Sequence, residues 1–292
     1  MSEASPAQRG ASRRRGTRPT RSARPTAVRR TARVLAALCL TAALACVGGC
    51  TDGSDGPQRY VSPYTWENLD RTDGRYTYYE DGAPASMLGV DVSDHQGFID
   101  WNAVAADGIE FAIVRIGYRG TTEGGLYADG YADANMDGAA ASGLAVGVYF
   151  FSQAVTPDEA VEEAEFALSL LAGRELALPV VYDHEPVAGS GRANDIDDET
   201  ASACARAFCE RIEEAGYATM IYGNSADMSR YDESVTDARP VWFAEYNTPT
   251  PTAQFDLSIW QYSNAGTVDG IATNVDMNIL FLTAPDPVAP RR

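Results

Sequence analysis

From residue 87 onward the chain repeats one pattern: a short run apolar on both faces, then a longer segment whose apolar residues recur at helical spacing. The runs Met87 to Ser93, Phe111 to Tyr118, Leu144 to Ser152, Leu176 to Pro186 and Ala218 to Asn224 read as buried strands of the kind parallel sheets use. Helices are predicted between them. Asp100 caps Trp101 to Ala106, which Gly108 stops, and a second helix runs from around Tyr131 to Ala141 and closes at Gly143. Thr156-Pro157-Asp158-Glu159 is a capping box with proline at the first helical position, and Val161, Ala164, Leu168 and Leu171 follow on one face. A fourth helix spans Asp198 to Ala215, with Cys204, Phe208 and Ile212 inward. Beyond it the spacing tightens, and Val241 to Tyr246, Leu257 to Tyr262 and Asn274 to Phe281 follow with no long helix between them. Five strand–helix units and three closely spaced strands make eight strands, enough to close an α/β barrel of TIM-like (β/α) type with a degenerate last third.

Such barrels place their chemistry where strands end. The fourth run, LALPVVYDHEP, ends in two carboxylates, Asp183 and Glu185, which share a strand face and sit roughly 6.6 Å apart along it. Asp91 lies near the end of the first strand and Asp276 within the eighth. Arg115, Tyr149, Tyr222, Trp242 and Trp260 occupy the second, third, fifth, sixth and seventh strands. Ordinary surface acids would be scattered over loops and helices, whereas each of these interrupts an apolar strand. Acids gathered in one cleft cannot all ionise cheaply, so at least one keeps a raised pKa and serves as general acid. Aromatic side chains beside paired carboxylates suit the flat faces of sugar rings, and glycoside hydrolysis needs that combination. Tyr149, Tyr222, Trp242 and Trp260 are the expected sugar contacts, with barrel packing as the competing role. Arg115 either joins them or pairs with a lumen acid. By alternation His184 faces away from the lumen as a packing residue, and Asp100 is a helix cap.

Charge divides the chain. Residues 1–49 hold ten Arg and one Glu, a net +9, while residues 50–292 carry a net −27, and there is no Lys anywhere. A body so acidic is repelled by phosphates, which excludes nucleic acid as a partner. The Arg-rich start ends at Arg33, and the apolar stretch from Val34 to Val47 is too short to span a bilayer comfortably, as in a secretory signal. Val47-Gly48-Gly49-Cys50 resembles a bacterial lipobox, which would place a lipid on Cys50 and the protein on the outer face of the cytoplasmic membrane. The alternative is cleavage after Ala43-Leu44-Ala45, leaving Cys46 at the new terminus and the protein secreted to the cell wall. Residues 50–58 read as a tether. Residues 59–86 read as a lead-in with a strand at Arg75 to Glu80 and a turn at Asp81-Gly82, and residues 283–292 as a tail. Cys204 and Cys209, about 7.5 Å apart in helical rise, are too far apart for an unstrained disulfide. No zinc-type spacing occurs, so neither metal nor cofactor is expected.

Four stretches carry a resemblance: Asp91 to Trp101 (DVSDHQGFIDW), Tyr182 to Pro186 (YDHEP), Ile259 to Ser263 (IWQYS) and Val275 to Asn278 (VDMN). In that order they resemble the marks of glycoside hydrolase family 25, the muramidase-type lysozymes, over residues 87–282. The resemblance implies a flattened (β/α)5β3 barrel, a monomer acting on peptidoglycan glycan strands, and cleavage between N-acetylmuramic acid and N-acetylglucosamine. It implies that Glu185 is the proton donor, that Asp183 orients the 2-acetamido group, and that Asp91 and Asp276 support them. Retention through substrate assistance and direct inversion both remain open. Two other classes fit the same strands: a non-catalytic wall-binding lipoprotein, and a hydrolase of another acetamido sugar such as chitin.

Overall fold

The computed structural model describes residues 60–284; the predicted leader, Cys50, the tether and most of the tail lie outside the described residues. Residue 60 leads into a small antiparallel sheet of β1 (Leu69–Thr72), β2 (Arg75–Glu80) and β3 (Ala83–Pro84). Its two hairpins close on Asp-Gly pairs with both residues at positive φ, at Asp73-Gly74 and at Asp81-Gly82, as two-residue turns between twisted strands require.

The repeating part follows in chain order. It comprises β4 (Ser86–Val92), α1 (Trp101–Ala106), β5 (Phe111–Arg119), β6 (Leu126–Ala128), α2 (Ala132–Ala141), β7 (Ala145–Phe151) and α3 (Pro157–Leu171). Then come β8 (Val180–Asp183), α4 (Asp198–Glu214), β9 (Thr219–Gly223), α5 (Ser225–Met228), α6 (Glu233–Thr236), β10 (Val241–Ala244), β11 (Ile259–Gly266) and β12 (Val275–Phe281). Eight of these strands close edge to edge as β4-β5-β7-β8-β9-β10-β11-β12 and back to β4. Neighbours are parallel from β4 through β11, and β12 runs antiparallel to both of its neighbours. The short β6 hangs antiparallel on the far end of β5.

Alternation along each strand sorts its side chains between lumen and outer layer. Phe111 and Ile113, Val181, Met220 and Tyr222, Trp242 and Ala244, Ile259 and Leu280 form one inner cluster. Their neighbours Ala112, Val114, Tyr182, Ile221, Phe243, Trp260 and Ile279 belong to the outer core, with Ala164, Phe208 and Ile212 from the helices. Gly89 is where the lumen is tightest: a Cβ there would come within 2.3 Å of the Phe111 ring.

The predicted strands and helices appear within a few residues of their expected ends, with Asp100 accepting from the amides of Asn102 and Ala103. The difference lies in short elements. β1, β3 and β6, and the one-turn α5 and α6 after β9, are too brief for periodicity to reveal. On α3 the buried face is Ala160, Glu163, Ala164, Ala167 and Leu171, while Val161 and Leu168 are half-buried. Glu163 is fully buried because Arg119 meets it at 2.7 Å and Ser152 Oγ donates to it at 2.6 Å.

Crossover helices cover the outer faces of the early strands, but no helix lies between β10, β11 and β12. The lead-in sheet covers the last two instead. Tyr76 stacks 4.9 Å from Trp260, Tyr64 lies 4.4 Å from Phe281, and Tyr64 Oη donates to the Leu257 carbonyl. Trp260 is completely buried there, its indole N–H donating 2.8 Å to the Glu245 carbonyl. It faces outward and is a packing anchor, not the lumen sugar contact expected of it. Replacing Trp260 with Ala is therefore expected to cost about 3–5 kcal/mol in urea unfolding. A stability change under about 1 kcal/mol, with a raised KM, would return Trp260 to the binding surface.

Candidate active site

β4 and β12 bring the first pair of acids together, because Asp276 lies directly opposite Asp91 in their antiparallel register. Asp91 is buried, and one of its oxygens accepts two amide hydrogen bonds, from Gln261 Nε2 and Asn278 Nδ2, each at 2.8 Å. These amides are themselves oriented. Trp242 Nε1 donates to Asn278 Oδ1 at 2.8 Å, and Tyr222 Oη donates to Gln261 Oε1 at 2.9 Å, joined there by Tyr246 Oη. With both amide oxygens engaged, both NH2 groups must point at the carboxylate. Burial and the neighbouring Asp276 still push the Asp91 carboxyl well above its usual range, against the pull of the two amides.

The second pair sits on β8 and the residues just past it. Asp183 is buried at the strand end, opposite Tyr222 on β9, with its Oδ1 shut from solvent and without a hydrogen-bond partner, and Glu185 follows two residues on. Burial and then the charge of Glu185 raise Asp183 far above a normal Asp. Glu185 is more open, and burial followed by the charge of Asp227 brings it up to about 7. The backbone under Glu185 is tied down, since Gln153 Nε2 donates to its carbonyl at 2.9 Å. Gln153 is held in turn by Glu163 through its N–H and by Arg192 through its carbonyl.

Of the expected aromatic contacts, Tyr149, Tyr222 and Trp242 lie together at the lumen, with the Tyr222 and Trp242 rings 4.5 Å apart and Tyr149 edge-on at 6.2 Å. Tyr149 is half-buried between Arg115 and Asp91, which leaves it the most available of the three to a ligand. Arg115 forms no ion pair with Asp91, Asp183, Glu185 or Asp276. Its Nε bonds Asp129 at 2.8 Å and its NH2 group Asp94 at 2.5 Å, bracing the loop after β4 against the start of α2. His184 faces outward, buried and stacked on Tyr182, and burial lowers it to about 4, so it stays neutral. Cys50 lies outside the described residues.

Gln261, Asn278, Tyr246 and Asp227 were not among the expected site residues. Gln261 and Asn278 stand inside two of the motifs, and an amide in an apolar strand signals a lumen position as clearly as an acid does. Asp227 is buried on α5, where Asn224 and Asp227 cap each other reciprocally, an N-x-x-D start visible in the sequence. Among the described residues, no group of three or more His, Cys, Asp or Glu is placed to hold a metal ion.

Residues 90–271 match the family model of glycosyl hydrolases family 25. Over 192 residues the chain is 29% identical to the autolytic lysozyme of Clostridium acetobutylicum, covering 66% of this chain and 55% of that one. It is 28% identical over 209 residues to lysozyme M1 of Streptomyces globisporus, covering 66% and 67%. Among solved structures it is similar to the modular autolysin LytC from Streptococcus pneumoniae in complex with a synthetic peptidoglycan ligand, with a TM-score of 0.60 at 21% identity, over 73% of this chain and 52% of that one. The chain thus spans little more than half the length of two of these relatives. With the family model spanning more than half of the chain, and every barrel strand but the start of β4 and all of β12, the chain belongs to glycosyl hydrolases family 25.

Proposed function

We propose that this protein is an N-acetylmuramidase that hydrolyses the β-1,4 bond between N-acetylmuramic acid and N-acetylglucosamine in peptidoglycan. The observation that carries the reading is the Asp183–Glu185 pair at the end of β8: a buried acid raised well above the usual carboxylate range by burial, followed two residues on by a more open one brought up to about 7. Two lysozyme relatives support the reaction class, and the autolysin bound to a peptidoglycan ligand supports the polymer. The order of helices and strands supports a flattened (β/α)5β3 barrel as its scaffold.

The mechanism follows from the proton that Glu185 carries below about pH 7. The acetamido N–H of a bound muramic acid gives Asp183 a donor, and Glu185 holds its proton beside the glycosidic oxygen. Glu185 then protonates the leaving oxygen while the acetamido oxygen attacks C1, and Asp183 stabilises the oxazolinium-like species. The Glu185 carboxylate next takes a proton from water, which opens that species with net retention. Asp91 and Asp276, facing each other across β4 and β12, support the pair from the opposite side of the lumen. Tyr149, Tyr222 and Trp242 wall the sugar site. The leader, with a lipid on Cys50, would hold the enzyme at the outer face of the membrane.

Glu185→Gln is expected to lower kcat on purified cell walls about 1000-fold with the fold intact, as fits the loss of a general acid–base. Residual activity above a tenth of wild type excludes the assignment. For the wild type, kcat/KM is expected to fall about tenfold per pH unit above about 7, as free Glu185 loses its proton.

Stability runs the same way. The folded-state pKa of Glu185 is raised from 4.5 to about 7, so the stability tied to its proton is fully present below 4.5 and lost as pH rises through 7. Glu185→Gln should therefore match wild type in urea at pH 4.5 and exceed it by up to about 3 kcal/mol at pH 8. Equal stability at both pH values contradicts the raised pKa.

NMR of the first-formed product should show the β-anomer. The α-anomer rules out substrate assistance in favour of direct inversion.

A further inference from the structure

The lead-in sheet does more than cover β11 and β12. With the ends of β10 and β11 it walls a cleft of about 650 Å³, lined by Leu69, Arg71, Tyr76, Asn247, Thr248 and Asn264 among others. Leu69 and Arg71 share one face of β1, and Asp70 and Thr72 bond to each other on the opposite one. Tyr246 is common to this cleft and the acid site: it lines the cleft, and its hydroxyl donates to Gln261, the amide that holds Asp91. Tyr246 therefore joins this cleft to the amide layer that holds Asp91.

Three observations decide what it takes. Arg71 is exposed, its guanidinium lies 5.2 Å from the centre of the Tyr76 ring, and it has no carboxylate partner among the described residues. Arg75, the next cation along, is spent on Asp107, and Glu245 at the end of β10 is engaged by Thr252. An unspent cation on the wall of this cleft, in a chain with a net charge of −18, is a local attractor for an anionic group.

The accessible lining is also wrong for a sugar. Tyr76 and Tyr262 are each only 5% exposed, their faces already used on one another and on Trp260. What remains open mixes the amides and hydroxyl of Asn247, Ser263 and Asn264 with the apolar Leu69, Pro249 and Ala265 and the half-buried Tyr246, a lining that suits a peptide backbone and its small side chains. Finally, the wall is not optimised for packing. The Thr248 hydroxyl is shut from solvent without a partner, the Tyr262 hydroxyl approaches the Tyr76 backbone without completing a hydrogen bond, and Asn247 holds a left-handed φ of 61°. Unpaired buried hydroxyls and a strained backbone gathered on one wall mark a place held for something other than stability.

We infer that this cleft is a subsite for the carboxylate-bearing peptide stem carried by the glycan strand, with Arg71 receiving the carboxylate. The inference rests on the reading of the barrel as a peptidoglycan hydrolase. It gives the lead-in, which precedes the family match, a part in substrate selection.

The test compares soluble glycan strands that keep their peptide stems with the same strands stripped by an amidase. Wild type should prefer the peptide-bearing strands, and Arg71→Ala should lower kcat/KM on them about tenfold while changing that on stripped strands less than twofold. Arg71→Glu should lower it further. An equal loss on both substrates makes the cleft a sugar subsite or a fold support, and no loss on either empties it of function; both overturn the inference. Binding of the two strand types to Glu185→Gln, with and without Arg71→Ala, reads the subsite without turnover. If wild type cuts neither substrate, the hydrolase reading fails. In that event a stem-dependent, Arg71-dependent difference in Kd still upholds the subsite, and its absence removes it.

Discussion

Four carboxyl groups, Asp91 opposite Asp276 and Asp183 two residues before Glu185, share a lumen otherwise built from Phe111, Ile113, Val181, Met220 and Leu280. Full ionisation of all four at close quarters would be prohibitively costly in that medium, and burial raises every one of them. The barrel therefore has to hold some of them protonated and supply donors for the charge that remains. Gln261 and Asn278 answer the need at Asp91, and Tyr222, Tyr246 and Trp242 exist in that layer largely to aim those two amides. A different lumen layer would release the acids to ionise, or to be replaced.

Much of this was legible in the sequence because the strands are long enough to show alternation, and because an acid inside an apolar run has few ordinary explanations. The four acids, the outward His184 and the cap at Asp100 all follow from that period. Trp260 went astray on the same rule. In Ile259-Trp260-Gln261-Tyr262 either the aromatic pair or the Ile–Gln pair must face the lumen, and Gln261, which needs a polar partner when buried, decides for the latter. Glu163 and Asp227 were hidden for a different reason. A charge on a helix reads as solvated until a distant partner is known, and Arg119 lies 44 residues from Glu163 in sequence.

The missing helices of the last three strands set a further constraint. Exposed, the outer faces of β11 and β12 would present Trp260, Tyr262 and Phe281 to water. The aromatic residues Tyr64, Trp66, Tyr76 and Tyr78 of the lead-in meet them in tilted and edge-on contacts between 4.4 and 5.9 Å. The lead-in is thus part of the barrel's outer core, although it belongs to neither the strand–helix repeat nor the family match.

β11 connects these two demands within three residues. Trp260 and Tyr262 face out and are gripped by the lead-in, while Gln261 between them faces in and grips Asp91. Because successive residues of a strand point to opposite faces, a shift that loosens the outer contacts must also move the inner amide. A displacement of Gln261 by a few tenths of an ångström weakens a 2.8 Å hydrogen bond to the buried Asp91 and frees the hydroxyls of Tyr222 and Tyr246. The protonation state of the site is then a property of the packing on the far side of the sheet. That explains in physical terms why a barrel short of helices carries an aromatic lead-in against the strand that holds its acids.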